Sequence, residues 1–214
     1  MQAEPTVYVV HGVQEVRGSL RQILNLARLR HEIFPSAEQY LERADPDAPG
    51  CVVAGSPVPG MSGLDLIAEM AGRGRSTPVV VLIPRGDVPA AVEAIETGAS
   101  GCVEVPIDPD ALLARVGQAI DRDAAMRRAR SARSDARTQF STLTSRQREV
   151  LDLVVAGHLT KEIARDLGVS MRTVEVHRSN VMKKMGAESL AELVSIVTRH
   201  GLRELGPRAD HQEP

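Results

Sequence analysis

The sequence predicts two domains of different class: an α/β domain on a five-stranded parallel sheet, then an all-α domain of four short helices. Three observations predict this. Up to residue 121, short runs rich in Val, Ile and Leu alternate with segments of helical spacing, a pattern that makes a parallel sheet covered on both faces. From residue 141 the apolar residues fall only at helical spacing, and glycines separate the runs. Between them, residues 122–140 shift to Arg, Ala and Ser, as a boundary segment does.

In order, TVYVV (6–10) reads as a buried strand. Residues 16–30 follow as a helix, with Val16, Leu20, Ile23, Leu24 and Ala27 on one face. Residues 31–34 are a short strand, and Ser36 caps a helix reaching Arg43. The third strand spans 51–54, followed by a helix at 64–71 and a fourth strand at 78–83. Asp87 caps a helix at 89–97, the fifth strand is 101–105, and a helix at 109–121 closes the domain. Five strands in about 120 residues fit the flavodoxin-like order 2-1-3-4-5, with function at the carboxyl ends of the strands. Residues 122–140 have strong helix formers but little apolar periodicity. They read as a helical extension, an exposed linker, or both in turn.

In the C-terminal domain (141–203), Thr144 with Gln147 three residues on forms a capping box. Val150, Leu151, Leu153 and Val154 give that helix an apolar face, and Gly157 ends it. Thr160 caps a second helix, with Ile163, Ala164 and Leu167 inside and Gly168 as its stop. Ser170 caps a third, which runs to Gly186. So short a turn, Gly168-Val169-Ser170, makes the pair a helix-turn-helix. At about 100° per residue, Val174, Val181 and Met185 face inward. Arg172, Glu175, Val176, Ser179 and Lys183 share the opposite face, with Asn180 at its edge. A polar, partly basic face there suits a DNA major groove; on periodicity alone, a solvated helical hairpin fits as well. Ser189 and Glu192 form another capping box. Leu190, Leu193, Val194 and Val197 make an apolar stripe on the fourth helix, part of which must cover the core. Residues 204–214 read as a polar tail.

Net charge divides along the chain. Residues 1–121 hold 16 acidic and 9 basic residues, a net of −7; residues 122–214 hold 12 and 17, a net of +5. The basic part contains the helix-turn-helix, as attraction to phosphates requires. The chain lacks a secretory signal and an apolar run near the about 18 residues of a membrane span. This suggests a cytoplasmic protein with no membrane partner. Cys51 and Cys102 have no metal-ligand spacing and read as small buried apolar residues.

The segment LTSRQREVLDLVVAGHLTKEIARDLGVSMRTVEVHRSNVMKKM (143–185) closely resembles the LuxR-type helix-turn-helix family. The resemblance implies double-stranded DNA as partner and RNA polymerase as another. It implies a homodimer whose fourth helices meet, through Leu190, Leu193, Val194 and Val197. Recognition helices would then lie about 34 Å apart on a roughly palindromic site. Glu175, Val176 and Ser179 match positions that reach base edges, while Arg172, Thr173, Arg178, Lys183 and Lys184 lie where phosphates would be. Thr160 and Lys161 are placed to contact the DNA backbone.

The first domain (5–121) resembles receivers of the FixJ subfamily of bacterial response regulators. The resemblance rests on VYVVHGVQEVRGSLR, SAEQYLERADPDAPGCVVAG, VPGMSGLDL, GDVPAAVEAIETGA and EVPID. It implies a Mg²⁺-dependent phosphorylation site whose chemistry this chain lacks. The acidic pair after the first strand is His11 and Gly12, and the phosphate-accepting Asp is Gly55. The Thr or Ser after the fourth strand is Ile83, the Lys near the fifth is Val105, and the aromatic switch residue is Cys102. Phosphoryl transfer needs a carboxylate nucleophile, a cation held by oxygen ligands, and a charge on the phosphoryl oxygens. The expectation is a degenerate receiver with no metal, no cofactor and no catalytic residue. His11 reads as a solvated side chain. The resemblance further implies a cis Val105–Pro106 bond. The rivals are a conventional phosphorylated regulator and an interaction protein that forms heterodimers with authentic response regulators. An enzyme has no support, because no nucleophile–base pair, metal cluster or phosphate loop is visible.

Overall fold

The structure is a computed structural model that describes residues 4–55 and 61–202. The polar tail read at 204–214 lies outside the described residues. The chain divides into two compact units, Met1–Arg128 and Ala129–Pro214.

In the first unit, β1 (Thr6–Val10), β2 (His31–Phe34), β3 (Gly50–Gly55), β4 (Val79–Pro84) and β5 (Gly101–Val105) form one sheet, ordered β2-β1-β3-β4-β5. Every pairing is parallel, as the sequence predicts. The two-residue period of a strand sends alternate side chains to opposite faces. Tyr8 and Val10 meet residues of α2 (Ala37–Arg43), α3 (Gly63–Gly72) and α4 (Val88–Thr97). Val7 and Val9 meet residues of α1 (Gln14–Leu26) and α5 (Pro109–Ser141). The Val105–Pro106 bond is cis.

Two elements depart from expectation. α1 ends at Leu26 rather than 30, because Arg28 takes a left-handed conformation (φ 56°). The chain must leave the helix there so that the Arg30 carbonyl can accept from Val7 N–H at the sheet edge (2.8 Å). α5 continues to Ser141 rather than ending at 121, so residues 122–140 are helical. No Gly or Pro interrupts that stretch. Asp123, 2% exposed, also ties the extension down. Its carboxylate accepts from Gly50 N–H (2.9 Å) and Arg127 Nε (2.7 Å).

The second unit contains α6 (Ser145–Val155), α7 (Thr160–Asp166), α8 (Met171–Met185) and α9 (Leu190–His200). Their shared core includes Val150, Leu151, Ile163, Val174, Val181 and Met185, and Ala136 and Phe140 of α5 join it. Thr144 and Gln147 make the predicted capping box. Thr160 does not cap α7. Leu159 holds the N-cap position, and the Glu162 carboxylate accepts from its N–H (2.8 Å). At the start of α9, Ser189 Oγ accepts from Glu192 N–H. The Glu192 carboxylate, however, accepts from Glu188 N–H rather than from Ser189, so the box is open on one side.

Candidate functional site

The turn between α7 and α8 depends on Gly168, whose φ of 64° suits a residue without a side chain. Ser170 Oγ accepts from Thr173 N–H (3.1 Å) and starts α8. Val174, Val181 and Met185 are at most 1% exposed, so α8 is locked in rotation about its axis. The opposite face presents Arg172, Glu175, Val176, Ser179, Asn180 and Lys183 to solvent, the arrangement expected from periodicity.

The remaining predicted phosphate contacts divide. Lys161 is exposed. Arg178 Nη1 donates to Thr160 Oγ1 (2.7 Å), bringing two of them together across the helix pair. Thr173 is half-buried, with its hydroxyl bonded to that of Ser170. Lys184 stands apart: its ammonium donates to the Thr142 carbonyl (2.8 Å) and to Gln147 Oε1 (2.9 Å), and so bonds to the start of the domain.

α9 divides its apolar stripe between the core and the surface. Leu193 and Val197 are 2% and 1% exposed and belong to the core. They help to close the domain. Only Leu190, 41% exposed, and half-buried Val194 remain outward on that stripe.

The crevice at the carboxyl ends of β1 and β3 gives a correction. His11 is buried, not solvated. Its Nδ1 accepts from Val13 N–H (3.0 Å), and Arg17 Nη1 donates to the carbonyls of His11 (2.8 Å) and Gly12 (2.6 Å). A Cβ added at Gly55 would lie 2.1 Å from His11 Cδ2 and 2.5 Å from Nε2. The ring therefore fills the space that a side chain at 55 would need. The sequence signal was available: a bulky residue and a glycine end adjacent strands. Burial, and then the charge of Arg17, push the His11 pKa below its ordinary value.

Of the other altered positions, Ile83 is buried, and Gly12, Cys102 and Val105 are half-buried. Burial pushes the Cys102 thiol pKa up, against the opposing charge of Arg115. Receivers hold Mg²⁺ through carboxylate oxygens, and these residues do not fit that ion. His11 and Gly12 supply no carboxylate, and His11 Nδ1 already accepts a hydrogen bond.

Comparison with known proteins agrees with both halves. Residues 7–117 match the response regulator receiver domain family, and residues 141–197 match the luxR family of bacterial regulatory proteins. The chain is 41% identical over 196 residues to the transcriptional regulatory protein FixJ of Azorhizobium caulinodans, covering 92% of this chain and 93% of that one. It is 37% identical to the FixJ protein of Rhizobium meliloti, covering 92% and 96%. Among solved structures it is similar to the response regulator StyR, with TM-score 0.81, 37% identity and coverage of 92% and 100%. Full-length FixJ from B. japonicum superposes with TM-score 0.56 at 34% identity, covering 94% and 98%. The chain belongs to the FixJ-type response regulators, DNA-binding transcription regulators that join a receiver domain to a LuxR-type helix-turn-helix.

Proposed function

We propose that this regulator binds its DNA as a homodimer, acts with RNA polymerase in the bacterial cytoplasm, and does so without aspartyl phosphorylation. The observation that carries the last point is the His11 ring packed into the space beside Gly55. The nucleophile is missing, and its place is filled. Incubation with acetyl phosphate and Mg²⁺ is expected to add no acid-labile phosphate to the N-terminal unit and to leave DNA affinity unchanged. Stoichiometric phosphate on any residue of that unit would refute the reading.

On α8, we assign base reading to Glu175, Val176 and Ser179. A carboxylate can accept from cytosine N4, and a valine methyl can pack on a thymine methyl. Arg172, Lys183 and Lys161 are assigned to phosphates, as is the Thr160–Arg178 pair; Leu190 and Val194 are assigned to the dimer contact. Glu175→Ala is expected to relax preference at one base position by about 1–3 kcal/mol. Lys183→Ala should weaken all sequences alike and lower the salt slope by about one. Uniformly tighter binding by Glu175→Ala would mean that its carboxylate only repels phosphates.

A second reading, heterodimers with another response regulator, is favoured by Val88, Val92 and Ile95. They stand 66%, 51% and 54% exposed along one face of α4. Light scattering on the protein alone and mixed with such a regulator separates the two readings.

A further inference from the structure

We propose that Asn180 reads an adenine in each half-site, about two base pairs from the thymine whose methyl meets Val176. The inference rests on the assignment of α8 to the major groove, and it names the base that the exposed face selects. At about 100° per residue, buried Val174, Val181 and Met185 point within about 20° of one direction. Lys183 is directly opposite; Arg172 and Val176 stand about 20° from that line, Ser179 about 40°, Asn180 about 60° and Glu175 about 80°. Asn180 is exposed, and it stands nearer the middle of the outer face than Glu175 does. Val176, one turn before it, is 54% exposed, a branched apolar side chain turned to solvent.

An amide at this position serves no structural purpose among the described residues. Asn is a poorer helix former than Ala, because its carboxamide competes for backbone hydrogen bonds, and it suits helix ends instead. Asn180 lies in the interior of α8, where Ser170 and Gly186 hold the cap positions. Its carboxamide bonds to no backbone group and no side chain among the described residues. Both halves of the amide are therefore open to a ligand: Oδ1 accepts and Nδ2 donates. Adenine offers the complement on its major-groove edge, where N6–H donates and N7 accepts. Guanine presents two acceptors there and each pyrimidine a single hydrogen-bonding group, so none of these takes both halves of the amide. With the helix lying along the groove, four residues advance about 6 Å, close to two base-pair steps of about 3.4 Å. Val176 and Asn180 together thus select a thymine and an adenine at that spacing.

In the test, the full-length protein first selects its half-site from random duplex DNA. Each adenine of that site is then replaced in turn by 7-deazaadenine, which keeps the base pair and loses only the N7 acceptor. One replacement per half-site is expected to weaken wild-type binding at least about fivefold, and to change Asn180→Ala binding by less than about twofold. Asn180→Ala should bind the unmodified site about tenfold more weakly than the wild type, and random-sequence DNA equally well. Asn180 is exposed and Ala is the better helix former, so this variant keeps the fold. The proposal is overturned if no adenine is sensitive, or if the sensitive adenine stays sensitive in Asn180→Ala. It is also overturned if Asn180→Ala weakens both DNAs alike, which marks a phosphate contact. Selection that yields no preferred sequence would instead remove the assignment of α8 to base reading, and this proposal with it.

Discussion

Gly50→Ala is expected to destabilise the N-terminal unit by on the order of 3 kcal/mol or more, a large share of the about 5–15 kcal/mol that holds a domain folded. The cause is backbone against backbone. Gly50 has φ 144°, a conformation that residues with a Cβ rarely adopt, and an added Cβ would lie 1.9 Å from the Thr6 carbonyl oxygen. Neither partner is free to retreat. Thr6 N–H donates to the Pro49 carbonyl (2.9 Å), and Gly50 N–H donates to buried Asp123. Arg127, paired with that same carboxylate, donates to the carbonyls of Asp47 and Ala48 (both 2.6 Å). Relaxing the clash therefore loosens the clamp between α5 and the start of β3. The chain has two tyrosines and no tryptophan, and Tyr8 and Tyr40 both lie in the N-terminal unit. Tyrosine fluorescence during urea unfolding thus follows this unit alone. An unshifted midpoint would show that the loop yields without cost.

The second large effect is a coupling between Gly55 and His11. Gly55→Ala should cost about 1–3 kcal/mol, because the new methyl and the His11 ring claim the same space. His11→Ala should cost a comparable amount, about 2 kcal/mol, since it leaves a cavity and strips the Val13 N–H of its acceptor. In the double variant the methyl enters the space the ring has left. The combined loss should fall short of the two single losses added together by more than about 1 kcal/mol. Additivity within about 0.5 kcal/mol would mean that the ring does not fill the space beside residue 55. Gly55→Asp alone should then fail for a physical as well as a chemical reason: the carboxylate has no room while His11 stays.

What the sequence determined by itself is what local patterns encode. Runs of β-branched residues between helical segments specified five parallel strands and their order. Thr144, Ser170, Gly168 and Gly186 marked where helices start and stop, because caps and left-handed turns are made by neighbours in the chain. The recognition face followed from the 3.6-residue period, which places Val174, Val181 and Met185 on one side and Glu175, Val176 and Ser179 on the other. The tertiary structure decided depth and partnership. Leu190, Leu193, Val194 and Val197 share one arc of α9, and only packing against the other helices shows that Leu193 and Val197 are inside. Lys184 lies on the basic flank of α8, yet its ammonium is bonded to Thr142 and Gln147, 42 and 37 residues away. His11 looked solvated at a strand end until β3 was placed beside it with a glycine opposite. Periodicity fixes direction around an axis; which space is already filled depends on side chains distant in sequence, and only the folded chain brings those together.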